Sequence, residues 1–174
     1  MWQELEVDPD VVQRVSLRAG IHTGERMVIL EGADPTPPAL EVDMPISVLY
    51  VSDEGQLTVL AGDSFFHERL AGRLWQVSGP SFFQVNTQQA EHLVQTVGRY
   101  LALQPGESLL DAYCGVGTLS LPFAAQLDYV LGIEASPWAI EDAAANAEDE
   151  ENVDLLEGAV EEVLPGWEQG FDAV

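Results

Sequence analysis

The run Leu109-Leu110-Asp111-Ala112-Tyr113-Cys114-Gly115-Val116-Gly117-Thr118 restricts the fold of this chain more than any other stretch. Its apolar start reads as a β-strand, Gly-x-Gly as a tight turn, and the residues from about Thr118 as a helix. This layout brings a nucleotide-like ligand against backbone, because glycine takes positive φ and carries no Cβ to hold the ligand off. Gly132-Ile133-Glu134 then ends a second apolar run with a carboxylate. The pair of features predicts an adenosine-containing ligand.

The surrounding pattern is an alternation of helices and strands. Asn86 and Gln89 have capping-box spacing, with apolar Ala90, Leu93, Val94, Val97 and Leu101 on one helical face and Pro105-Gly106 ending the run. Strands are expected at Ser108–Ala112, Tyr129–Ile133 and Val153–Leu156, with a fourth beginning at Phe171. Helices are expected from about Thr118, after Ser136-Pro137, and over Val160–Leu164; Glu148–Glu151 reads as a solvated helix end. Such alternation implies right-handed crossovers and a parallel sheet, here incomplete because the chain stops in its fourth strand.

Before Ser81 the style differs. Six short alternating segments (Val12–Leu17, Arg26–Leu30, Ile46–Val51, Leu57–Ala61, Phe65–Leu70, Leu74–Val77) are broken by Gly24-Glu25, Asp53-Glu54-Gly55, Ala71-Gly72 and the stiff loop Asp34-Pro35-Thr36-Pro37-Pro38. Arg14, Ser16 and Arg18 are expected on the solvent face of the first strand, with Val15 and Leu17 on the other. The expected organisation is a small β-rich (α+β) domain over 1–80, a linking helical segment over 81–106, and the first half of an α/β domain over 107–174.

Charge and cysteine content bound the function. The net charge is -24, there is no lysine, and no basic residue occurs from Glu107 to Val174, so that half offers no phosphate-binding surface of its own. The acidity reads as a solubilising surface. No apolar run is long enough to span a bilayer and Met1-Trp2-Gln3-Glu4 is unlike a signal sequence, so a cytoplasmic protein with no membrane partner is expected. The single cysteine, Cys114, can form neither an internal disulfide nor a thiolate metal site alone, and no metal site is expected.

A nicotinamide fold would prefer a third glycine where Ser120 stands, and its pyrophosphate would occupy the helix N-terminus. S-adenosylmethionine carries no phosphate, which suits a turn bearing Asp111, Tyr113 and Cys114, and Glu134 can accept from both ribose hydroxyls. The residues favour S-adenosyl-L-methionine, with a nicotinamide-dependent Rossmann enzyme as the alternative.

The stretch SGPSFFQVN at Ser78–Asn86, the helix after it, LLDAYCGVGTLSLPFA, GIEASPWAIEDAAANA and Gly170-Phe171-Asp172-Ala173-Val174 together resemble the RNA uracil-C5 methyltransferase family. The resemblance is dense from about Leu74 onward and looser upstream, where the β-rich part looks like the family's central domain. It implies an incomplete Rossmann-like S-adenosylmethionine methyltransferase sheet and an RNA substrate, transfer or ribosomal. Position by position it implies that Gln84 touches the cofactor, that Tyr113, Gly115 and Gly117 shape its pocket, that Thr118 meets the methionine end, and that Glu134 holds the ribose. On the residues alone, Gln84 also reads as a cap or bridge at the next helix, Tyr113 as a core aromatic and Thr118 as an ordinary helix-start residue. Ala159 stands where related folds place an acidic or amide side chain near the adenine.

The family's chemistry runs on a cysteine thiolate that adds to uracil C6. Cys114 lies in the cofactor turn among acidic neighbours and reads as a packing residue, so no catalytic residue is expected in this chain. By resemblance the nucleophile, the base and an Asp-Pro-Pro-type loop would follow Val174. The chain therefore reads as a truncated piece that binds cofactor weakly or not at all and transfers no methyl group. A non-catalytic cofactor- or RNA-binding module is the other alternative, and an open sheet edge predicts self-association.

Overall fold

The computed structural model describes residues 11–167 and 170–174; Met1–Glu4, where the sequence is expected to be unlike a signal sequence, lies outside them. Two compact units divide between Phe66 and His67.

The first unit is a four-stranded sheet of β1 (Arg14–Ala19), β2 (Arg26–Gly32), β3 (Ser47–Ser52) and β4 (Leu57–Ala61), in that order. β1–β2 and β3–β4 are antiparallel hairpins, whereas β2–β3 is parallel. The proline-rich loop supplies that crossover, and the Tyr50 hydroxyl pins it by donating to the Asp34 carbonyl at 2.6 Å. Val12, Leu30, Val48 and Tyr50 form the core.

The expected sidedness of β1 is corrected here. Val15 and Leu17 are 44% and 57% exposed, whereas Ser16 and Arg18 are half-buried. The register sets Val15 and Leu17 opposite Leu30 and Val28, and Ser16 and Arg18 opposite Ile29 and Met27, two buried residues. Both faces of β2 are apolar, and β1 is an edge strand, so alternation along β1 does not tell which face is covered. Arg14 pairs with Glu31 across the strands, Nη2 to Oε1 at 2.7 Å.

β5 (Phe65–Leu70) and β6 (Arg73–Ser78) form a hairpin whose two turn residues, Ala71 and Gly72, both have positive φ. α1 (Thr87–Leu101) starts as the sequence indicates, with Asn86 Oδ1 accepting from Gln89 N at 3.0 Å. It ends at Ala102 in the left-handed conformation, ahead of Pro105. β7 (Ser108–Asp111), β8 (Tyr129–Glu134) and β9 (Val153–Glu157) make a parallel sheet in that order, with α2 (Pro137–Asn146) between β8 and β9 and α3 (Val160–Val163) after β9. Ala173 forms a parallel bridge to Leu109, the beginning of the expected fourth strand.

One element departs from expectation. The connection from β7 to β8 is a run of turns and a six-residue 3-10 helix, Leu121–Gln126, where an α-helix was expected from Thr118. Pro122 has no N–H and cannot make the α-helical bond to the Thr118 carbonyl, so the chain closes through three-residue bonds such as Phe123 N to Ser120 O. Leu109 and Val130 pack with this 3-10 helix, and Leu110, Leu131 and Ile133 pack with α3 and Trp167, so both sheet faces are covered. The molecule is thus mixed α/β, a β-rich region followed by a Rossmann-like sheet. The compact units divide ahead of residue 80 because β6 is hydrogen-bonded to α2 through Gln76 and Ser78.

Candidate functional site

The C-terminal ends of β7 and β8 carry the candidate site, where an open parallel sheet ordinarily receives ligands. Two glycines shape the turn after β7, for different reasons. Gly117 (φ +89°) has no room for a side chain, because a Cβ there would lie 2.5 Å from Leu121 Cδ1. Gly115 (φ +55°) faces open space, with nothing within 4 Å of that Cβ position, so its backbone is free to be approached.

Cys114 lies beneath the turn and is 5% exposed. Its N–H donates to the Ile133 carbonyl at 3.0 Å, and its Sγ would lie 3.0 Å from a Cβ on Gly132, so it packs against β8 where β8 has no side chain. Burial first, then the charges of Asp111 and Glu134, push its thiol up to about 12. It is a protonated packing group at neutral pH.

Glu134 ends β8 and is held at both oxygens. Oε2 accepts from Gly115 N at 3.0 Å and Oε1 from Ser136 N at 2.8 Å. Each carboxylate oxygen has a second lone pair, so the same group can still accept from a ligand. It therefore fixes the glycine turn and the start of α2 while presenting charge at the strand end.

Gln84, Tyr113, Gly115 and Thr118 line one cavity of about 120 Å³, with Phe82 and Leu119 among its other walls. Gly117 and Glu134 do not line it; Glu134 adjoins it through the Gly115 amide. The helix cap is Asn86, which removes that role from Gln84. Tyr113 is 71% exposed and donates to Glu161 Oε1 at 3.1 Å, so it is no core aromatic. Ala159 precedes α3 without a side-chain cap, and the nearby Gly158 N–H donates to the Glu134 carbonyl at 2.9 Å.

Asp111 is a residue the sequence reading left unassigned. Its Oδ2 is sealed from solvent without a hydrogen-bond partner. Burial raises its pKa, opposed by hydrogen bonds from the Ser120 side chain and the Tyr113 backbone. An unpartnered buried carboxylate oxygen is costly unless a donor is supplied. The available signal was a charged residue closing an apolar strand.

These groups suit a ligand that offers donors, such as ribose hydroxyls, to Glu134, and positive charge, such as an ammonium, near the sealed carboxyl of Asp111. They do not suit a pyrophosphate, which would meet like charge and a six-residue 3-10 helix in place of a long helix N-terminus.

Known proteins similar to this chain are methyltransferases. A methyltransferase domain model matches residues 109–174. The chain is 34% identical to an uncharacterised RNA methyltransferase of Thermosynechococcus vestitus over 93% of its own length and 40% of that protein's. It is 38% identical to human tRNA (uracil-5-)-methyltransferase homolog A over 69% of its length and 21% of the human protein's. Among solved structures it is similar to the Pyrococcus abyssi tRNA (uracil-54, C5)-methyltransferase in complex with S-adenosyl-L-homocysteine, with TM-score 0.67, 29% identity, and coverage of 90% of this chain and 41% of that one. The chain spans about two-fifths of the length of the first curated relatives it matches.

Proposed function

We propose that this chain, by its similarity a member of the RNA uracil-C5 methyltransferase family, forms the cofactor half-site of an S-adenosyl-L-methionine-dependent enzyme that methylates C5 of a uridine in RNA. The observation that carries the reading is the pairing of the open Gly115 with two carboxylates, one stapling the turn and one holding a sealed, unpartnered oxygen.

In this reading Glu134 accepts from the ribose hydroxyls while its remaining lone pairs hold Gly115 N and Ser136 N. Asp111 does not line the cavity and its Oδ2 is sealed from solvent, so it acts from behind the wall, where its carboxyl favours a cationic group such as the methionine ammonium. Gln84, Tyr113 and Thr118 wall the cavity beside the turn, Gly115 admits the ligand to the backbone, and Gly117 lets Leu121 close beneath it. The cofactor, when bound, supplies an electrophilic methyl group. This chain's residues bind and orient it, and none of the described ones acts as nucleophile, since Cys114, although it borders the cavity, keeps its proton and is buried against β8.

Calorimetry tests this directly. S-adenosylhomocysteine and NAD are titrated in parallel into the chain, and weak but saturable binding of the first alone is expected. Equal binding of NAD, or no S-adenosylhomocysteine binding at millimolar concentration, overturns the reading. Methyl transfer to a uridine-containing RNA by these 174 residues alone would refute the assignment of a half-site without a nucleophile.

A further inference from the structure

We propose that Asp142 and Asn146 of α2 are positioning residues that hold the three parts of the pocket in register without touching the ligand, an inference that rests on the cofactor reading above.

Asp142 is fully buried, yet both its oxygens are occupied. Oδ2 accepts from Ser78 N at 2.7 Å and from Ser81 Oγ at 2.6 Å. Oδ1 accepts from Ser78 Oγ at 2.7 Å and from Gln76 Nε2 at 3.3 Å. Ser81 immediately precedes Phe82-Phe83-Gln84, the segment that walls the cavity. One helical turn later and on the same face, Asn146 Oδ1 accepts from Gln76 N at 2.7 Å, while its Nδ2 donates at 3.1 Å to both the Gln76 and Val116 carbonyls. Val116 lies between the two turn glycines.

α2 starts three residues after Glu134, with Ser136 between them as its N-cap. A single face of one helix thus fastens the Gln84 segment and the glycine turn to the element that begins at the carboxylate. A buried carboxylate is expensive unless its lone pairs are filled, and here four donors fill them, which fixes the Ser78–Ser81 turn in one arrangement. An apolar residue would fill the space and leave that turn without its register.

The test combines backbone hydrogen exchange with S-adenosylhomocysteine titration on the whole chain. Asp142→Ala is expected to raise exchange across 79–86 and to weaken S-adenosylhomocysteine by about tenfold or more, the consequence of losing one or two hydrogen bonds' worth of preorganisation. Asp142→Asn is expected to restore both. Its carbonyl keeps Ser78 N and Ser81 Oγ, and its amide donates to Ser78 Oγ and, after a side-chain flip, to Gln76. Ser81→Ala, which removes one donor and no buried charge, is expected to show the same effects at smaller size even if Asp142→Ala folds poorly. Val130→Ala, a core truncation in β8, controls for general destabilisation. Wild-type exchange at 79–86 in Asp142→Ala and Ser81→Ala, or an equal rise in Val130→Ala, overturns the proposal. Exchange is read without ligand, so failure of the chain to bind S-adenosylhomocysteine would overturn the cofactor reading and leave this arm decisive.

Discussion

Replacing Glu134 separates its two tasks. In Glu134→Ala the Gly115 and Ser136 amides lose their acceptors, contacts of 3.0 and 2.8 Å to a charged group at a half-buried position. Hydrogen bonds to charged groups contribute about 1.5–3 kcal/mol each when buried; solvent reaches these amides, so about 1–3 kcal/mol for the pair is the expected loss. For a chain of this size that corresponds to a melting temperature lower by roughly 3–10 °C. Glu134→Gln keeps one acceptor and turns the other into a donor facing an N–H, so it should recover at most half of the loss. Differential scanning calorimetry gives this order, and S-adenosylhomocysteine titration well below the transition reports the second task, with binding abolished in the Ala variant. A Gln variant as stable as wild type would refute the double staple. An Ala variant that loses stability but keeps wild-type affinity would remove Glu134 from the ligand site.

The other predictions concern the same turn and the end of the described chain. With its thiol near 12 against an ordinary value of 9.0, folded Cys114 should be alkylated at pH 8 about a thousandfold more slowly than in denaturant, followed by mass spectrometry. The unfolded thiol ionises first as pH rises, so Cys114 should withdraw stability between about pH 9 and 12, a loss absent in Cys114→Ala. Gly115→Ala should cost about 1–2 kcal/mol, from positive φ alone, yet block ligand binding, whereas Gly117→Ala should cost more because Leu121 must also move. Denaturant midpoints distinguish the two. Hydrogen bonds from Ser108 N and Oγ, each 2.8 Å, hold Asp172 below the usual carboxylate range. Their contribution is present above the unfolded pKa and lost as pH falls through the lowered one, so the stability gap to Asp172→Asn should close below about pH 4.

Much of this architecture is legible in the amino-acid sequence. The six strands of the first 80 residues, the Asn86 cap and the alternation after it all follow from local chemistry: apolar spacing, turn residues and caps act within a few positions. The 3-10 connection was legible in principle, since Pro122 alone removes the bond an α-helix would need. The face of β1 was not, because Val15 and Leu17 alternate correctly but their exposure depends on what lies over an edge strand. Glu150 reads as one more solvated acid in an acidic run, yet it pairs with Arg73 at 2.7 Å, across 77 positions of sequence.

The candidate site divides the same way. The sequence by itself determined which residues can take unusual backbone angles, where a strand ends in a carboxylate, and hence what sort of ligand the sheet end can accept. Only the tertiary structure decided that Gly115 is open while Gly117 is filled from below, that Asp111 keeps an unpartnered oxygen, and that Asp142 and Asn146 join segments some 60 to 70 residues away. The reason is physical: backbone conformation is set by neighbours along the chain, whereas space, desolvation and hydrogen-bond partnership are set by groups the fold brings together.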